Sequence, residues 1–244
     1  MIRSEWIKLR SLRSPAWCLI ALLAVNVLFG WMIATAQARQ WDGVAAWDPV
    51  RASLSGVIVT QIAAAVFGVL AFTTETIRSS LAAMPRRSRL LAAKTLVVAV
   101  AVLLAGLVAA LLAFLAGQAA IAARGVPHAG LTDPGAARAI AGAGLYLTAV
   151  ALIGMAAGVL TRSTAAAVTG VIAGGLLVPV FASAMPEALA RFVVGWWPTA
   201  AGLRILATTP DRDMLDPWPG FAVLAGTTVV LMVAAFVTFR RRDT

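Results

Sequence analysis

The chain has 244 residues, 61% of them hydrophobic and only 12% charged, with a mean hydropathy of +0.91. Too little polar surface remains to coat a soluble domain of that size, so the bilayer is the expected solvent and a water-soluble enzyme or binding module is excluded. The formal net charge of +10 would suit a nucleic acid, yet the basic residues lie within a few positions of apolar runs rather than on a separate domain. They are read as topology signals and anchors for anionic lipid headgroups, with no nucleic-acid partner.

At the start of the chain, Ile2, Trp6, Leu9 and Arg13 follow a spacing of three to four, with Arg3, Lys8 and Arg10 placed to meet headgroups. Residues 1–14 therefore read either as a helix lying on the membrane or as a charged flank that sets topology. Pro15 breaks that line. Six runs without Asp, Glu, Lys, Arg or His follow, at about 15–36, 54–72, 95–119, 139–160, 164–184 and 220–239. Each approaches the roughly 20 apolar residues of helix that cross a bilayer core. The expected fold is one all-α integral membrane domain over 1–244, with six transmembrane helices and no soluble module. The N-terminal flank is too charged and the first run too long for a removable signal peptide, so it is expected to stay as a span.

Basic residues orient the spans. With both termini on one side, that side holds thirteen Lys and Arg against Glu5, Glu75 and Asp243, whereas the other holds seven Arg against seven carboxylates. The whole surplus of ten thus falls on one face, which the positive-inside rule makes cytoplasmic.

Spans four and five are separated only by Thr161, Arg162 and Ser163, which requires a tight antiparallel hairpin. Gly154 and Gly158 in one, and Gly170 and Gly174 in the other, are spaced by four. That spacing lets helix backbones approach, and packing within the hairpin is expected over a dimer face. Between spans five and six, Trp196, Trp197 and Trp218 mix with Pro186, Pro198, Pro210, Pro217 and Pro219, while Arg191 and Arg204 leave too short an uncharged run for a seventh span. Short helices at or dipping into the outer interface are expected there, either as an interfacial anchor or as a gate formed around Trp196, Trp197 and Pro198.

Sites for chemistry are few. His128 and Cys18 are the only residues of their kinds, and no Cys, His or carboxylate cluster has metal-ligand spacing. The six runs offer neither the catalytic pairs of an intramembrane hydrolase nor the charged relays of proton- or sodium-coupled carriers. Asn26, Gln61, Gln118 and Thr148 are the polar groups left inside, as glue between helices or as contacts along a pathway. There is no G-x-x-x-x-G-K-[ST] phosphate cradle, so the chain is not expected to be an enzyme or to bind a cofactor, and a transporter of this build draws energy from elsewhere.

The loop at 73–94 carries the most specific signal. Ile77, Leu81 and Met84 would line one face of a short helix, Pro85 would end it, and Ser88 can cap the helix that enters span three. Such a helix can lie on lipid or fit a groove in a partner, and the residues alone do not choose. The stretch Ser4-Glu5-Trp6-Ile7-Lys8-Leu9-Arg10-Ser11-Leu12-Arg13-Ser14, then Thr73-Thr74-Glu75-Thr76-Ile77-Arg78-Ser79-Ser80-Leu81-Ala82 and Pro85-Arg86-Arg87 through Ala93-Lys94, resembles the permease subunits of bacterial type-2 ABC exporters. The similarity covers the first hundred residues and continues through span count and the Trp-Pro-rich segment.

The resemblance implies six spans per subunit in a bacterial cell membrane, an N-terminal elbow helix, a cytoplasmic coupling helix between spans two and three, and exterior re-entrant helices before span six. By position the elbow would be 2–13 with Glu5, Trp6, Lys8 and Arg10. The ATPase-coupling helix would be 75–84, with Glu75, Ile77, Arg78, Leu81 and Met84 followed by Pro85, Arg86 and Arg87, and the gate would fall within 186–206. Its partners would be cytoplasmic ABC ATPase subunits that bind ATP and Mg, and a second permease subunit in a homo- or heterodimer. One departure is that Ile77-Arg78 follows Glu75 almost at once, where the family usually has several more residues, often with a Gly. The coupling helix is accordingly expected to be shorter or to begin later. The function expected is ATP-driven export of a hydrophobic or amphipathic compound. The alternatives are an ATP-independent secondary transporter and a membrane scaffold or immunity-type binding protein.

Overall fold

The computed structural model describes residues 13–43, 46–73, 87–209, 211 and 214–241. The elbow residues Glu5, Trp6, Lys8 and Arg10, and the loop residues Glu75, Ile77, Arg78, Leu81, Met84, Pro85 and Arg86, lie outside the described residues. Arg87 opens the helix Arg87–Ala122.

Among the described residues the only regular structure is helical, and six segments are long and apolar enough to cross a membrane. They are span one (Trp17–Gln40), span two (Pro49–Phe72), span three (Leu91–Ala122), span four (Ala136–Thr161), span five (Thr164–Ala184) and span six (Pro217–Arg241). Four begin earlier than the uncharged runs, and of these span two takes in Arg51, span three Lys94 and span four Arg138. The expectation that no ionisable side chain lies within a span is corrected accordingly. A charge ends an apolar run on paper but does not end a helix. Lys94 is buried, and its ammonium donates to the Ala71 carbonyl at 2.9 Å, where span two ends.

Span four is the centre, packing on spans two, three, five and six, and 67% of it is buried against 11% of span five. Its closest approach is to span two. A methyl group at Gly68 would strike the backbone of Ala151, and one at Gly154 would strike the backbone of Ala65, so the two helices touch main chain to main chain. This overturns the expected role of the four-residue glycine spacing: Gly154 serves span two, and Gly170 and Gly174 face open space rather than the hairpin partner. The hairpin itself forms as expected, with Arg162 in the left-handed region (φ 55°) and the Ser163 hydroxyl accepting from the Ala166 N–H.

Span two is not one straight rod. Asp48 caps a short helix, Pro49–Leu54, by accepting from the Arg51 N–H, and Pro49 at the first turn has no N–H to waste. The chain then steps at Ser55-Gly56 before Val57–Thr73. Gly56 lies so close to span one that a side chain would meet the Asn26 carbonyl and the Gly30 nitrogen.

The loops at the far end from the hairpin are tied together. The Trp47 indole donates to the Pro127 carbonyl at 2.6 Å, and the Arg138 guanidinium donates to the Ile205 and Ala207 carbonyls at 3.1 and 2.7 Å. The Asp48 carboxylate accepts from both the N–H and the hydroxyl of Thr208, each at 2.7 Å. Residues 47–48, 127, 138 and 205–208 therefore share one end of the bundle, as an alternating six-span path requires.

Candidate functional site

Span five changes pitch midway. Thr164–Ile172 is α-helical, Ala173–Leu177 is a π turn closed by the Val178 N–H on the Ala173 carbonyl, and Phe181–Ala184 is a tight 3-10 turn. The cause is local: Pro179 has no N–H for the Gly175 carbonyl four residues back, and Gly174 and Gly175 bring no side chain to cover the backbone. Carbonyls freed in an apolar setting must find donors elsewhere. The Trp197 indole N–H donates to Gly174 at 2.7 Å and the Thr199 hydroxyl to Gly175 at 2.8 Å.

Those donors come from the Trp-Pro segment between spans five and six. It folds as Glu187–Trp196, then Pro198–Gly202, then a 3-10 turn Leu203–Leu206. Trp197 sits extended between the two helices and is half-buried, Pro198 begins the second, and Trp196 is 56% exposed. The three residues expected at a gate thus occupy one joint, with Trp197 and its neighbour Thr199 locked to the break in span five.

Beside this joint is a cavity of about 300 Å³ walled by spans two, four, five and six and by Trp197, Pro198 and Thr199. It extends toward the hairpin as far as Thr161. A second cavity of about 270 Å³ shares Gln61, Gly175, Leu176 and Thr199 with the first and continues to the tied end, where Arg51 and Arg204 line it.

Of the expected pathway residues, Gln61 lines both cavities. Its amide donates to the Ile58 carbonyl at 2.9 Å and accepts from the Tyr146 hydroxyl at 2.7 Å, so a fully buried tyrosine of span four fixes it. Tyr146 escaped the sequence reading although it is the only tyrosine in the chain. Gln118 lines neither cavity: its amide donates to the Pro49 carbonyl and the Ser53 hydroxyl, both at 2.8 Å, and accepts from the Ala129 N–H at 2.7 Å. Asn26 is fully buried against Gly56, and neither of its amide atoms has a protein partner among the described residues. Thr148 donates to the Gly144 carbonyl of its own helix.

Charge enters at one end. Arg204 is only 7% exposed; its Nε donates to the Leu215 carbonyl at 3.3 Å, and its Nη1 lies 3.7 Å from the Asp211 carboxylate. Burial pushes the Arg204 guanidinium below its ordinary value and the Arg51 charge adds to this, while Asp211, Asp216 and Asp48 oppose it. Among the described residues no three His, Cys, Asp or Glu side chains come together. The arrangement offers surfaces for binding and a jointed wall. No protein-family model matches the chain, and no curated protein matches it.

Proposed function

We propose that the chain is the membrane-spanning permease subunit of an ATP-driven ABC exporter for a hydrophobic or amphipathic compound. The observation that carries this reading is the joint between the broken span five and Trp197-Pro198-Thr199, set over a cavity that spans two, four, five and six enclose. Span five is the least buried of the six, so its loss of contact on moving is small, and the Trp-Pro segment has to follow it. Such a wall suits a rigid-body change between two packings.

The drive would come through the 73–94 loop, whose sequence has the pattern of a coupling helix for a cytoplasmic ATPase. Lys94 joins the ends of spans two and three just inside that loop. A push there would tilt span two, and span two packs most closely on span four, at the centre of the bundle. A second permease subunit, identical or similar, would enclose the pathway about a shared axis, and the thinly packed faces of spans five and six are left for it or for lipid.

Reconstitution tests the reading. Purified chain in liposomes should move no compound with ATP until the partner ATPase is added, and Leu81→Asp should reduce co-purification of that ATPase while leaving insertion intact, because an unpaired charge in an apolar contact is costly. Transport by the chain alone without nucleotide would make it a secondary transporter instead. Stable ATPase binding with no compound able to stimulate hydrolysis would make it a scaffold.

A further inference from the structure

Gln61, Gly175, Leu176 and Thr199 line both cavities, so the two are successive parts of one furrow that runs past the span-five joint. Its chemistry is asymmetric. At the tied end two guanidiniums, Arg51 and Arg204, face one space, and no carboxylate stands among its described lining residues. Arg51 is exposed and forms no ion pair with any described residue. Asp211, 3.7 Å from Arg204, and Asp216 offset part of its charge from outside the lining, and Asp48 is taken up by Thr208 and the Arg51 N–H. Across the shared space Arg51 and Arg204 still repel each other, an anion between them would relieve that repulsion, and the planar fork of arginine matches the oxygens of a phosphate or carboxylate. Away from them the wall is largely apolar, with Ile58, Leu176, Pro179 and Val180, and Gln61 and Thr199 are its polar side chains midway, the Thr199 hydroxyl already donating to the Gly175 carbonyl.

We infer that this furrow binds a single-chain anionic amphiphile, with its acidic headgroup on Arg51 and Arg204 and its tail lying past Gln61 toward the hairpin end. The inference rests on the permease reading for its role, as the substrate class, but not for the binding itself. A free inorganic anion would leave the apolar length of the furrow unused. The furrow is narrow, about 300 and 270 Å³ in its two parts, which suits one acyl tail rather than two.

The test uses the full chain in neutral detergent, with no ATPase or nucleotide, and native mass spectrometry to count bound lipid. Lysophosphatidylglycerol should be retained at least tenfold better than lysophosphatidylcholine of the same acyl length. Arg51→Gln should lower retention about tenfold, the worth of one charge-assisted hydrogen bond. Arg51 is the residue to change because it is exposed, whereas Arg204 also holds the Leu215 carbonyl. Leu176→Trp, which fills the furrow beyond the headgroup, should lower retention of the lipid as well. Equal retention of the two lysolipids, or no effect of Arg51→Gln, would overturn the site and leave the permease assignment standing. Complete displacement by an equal concentration of inorganic phosphate would reduce it to a free-anion site and overturn the amphiphile. Failure of ATP-dependent transport in liposomes with lysolipid binding intact would instead refute the permease reading alone.

Discussion

The indole N–H of Trp197 donates to the Gly174 carbonyl at 2.7 Å, joining a residue of the connecting segment to the middle of a membrane span 23 positions earlier. With Thr199 on Gly175 it forms a two-point bracket that satisfies the carbonyls around the π turn. Because both bonds run to backbone, the turn and the segment move as one piece, and loosening one loosens the other.

Removing the indole donor tests the bracket. Trp197→Phe keeps an aromatic ring in place and leaves the Gly174 carbonyl without this donor, at a cost of about 1 kcal/mol. For a chain of this size that corresponds to a fall in Tm of about 2–4 °C, and Thr199→Val should act similarly. Thermal unfolding in detergent measures both. If neither variant shifts, the two bonds do not hold span five.

The Tyr146–Gln61 pair makes a sharper case. Tyr146→Phe leaves the buried Gln61 oxygen short of its donor, and the expected loss is about 1–3 kcal/mol. Adding Gln61→Leu removes the orphan as well, so the double variant should recover much of that loss. A double-mutant cycle on unfolding midpoints reads the coupling directly, and additive losses would mean the two side chains act independently.

Much of this architecture is legible in the residues, and the misses have physical causes. The six spans follow from uncharged runs because lipid penalises charge along a whole helix. Arg51 and Lys94 show the limit: each stopped a run, but Arg51 lies where span two emerges at the tied end and Lys94 pays for its burial with the Ala71 carbonyl. The breaks at Ser55-Gly56 and 173–177 are invisible to hydropathy, since glycine and proline inside an apolar stretch barely change its mean. Gly174-Gly175 followed four residues later by Pro179 was the readable warning. The glycine spacing signalled a close approach without naming the partner, and geometry gave Gly154 to span two. Tyr146 was passed over because one hydroxyl hardly alters the hydropathy of a span, although in lipid such a hydroxyl needs an acceptor. Gln61 was identifiable as polar, but its place on both cavities depends on the fold of span five.

Glycines that look alike in the chain should respond differently. Gly154→Ala puts a methyl group onto the Ala65 backbone, which cannot yield as a side chain can, and should destabilise the chain by about 1–3 kcal/mol. Gly170→Ala enters open space within a helix, where alanine is the better helix former by about 0.5–1 kcal/mol. Opposite shifts in unfolding midpoint are therefore expected. A harmless Gly154→Ala would refute the backbone contact between spans two and four.

Topology can be settled by labelling at the two ends of the bundle. The loops near Trp47, Pro127 and Thr208 are bonded to one another, so they must lie on the same side of a membrane, and the turn at Ser163 must lie on the other. Charge gives the expected orientation: with both termini on the side of the hairpin turn, the surplus of ten basic residues would fall there, and the positive-inside rule would make that side cytoplasmic. With Cys18 replaced by Ser, a cysteine at Thr132 should react with an impermeant thiol reagent in intact cells, and a cysteine at Ser163 should react only after the membrane is opened. Both residues are exposed, so steric shielding does not explain a difference between them. Labelling of both in intact cells would break the six-span path, and the reverse pattern would invert the orientation and put the 73–94 loop out of reach of any cytoplasmic ATPase.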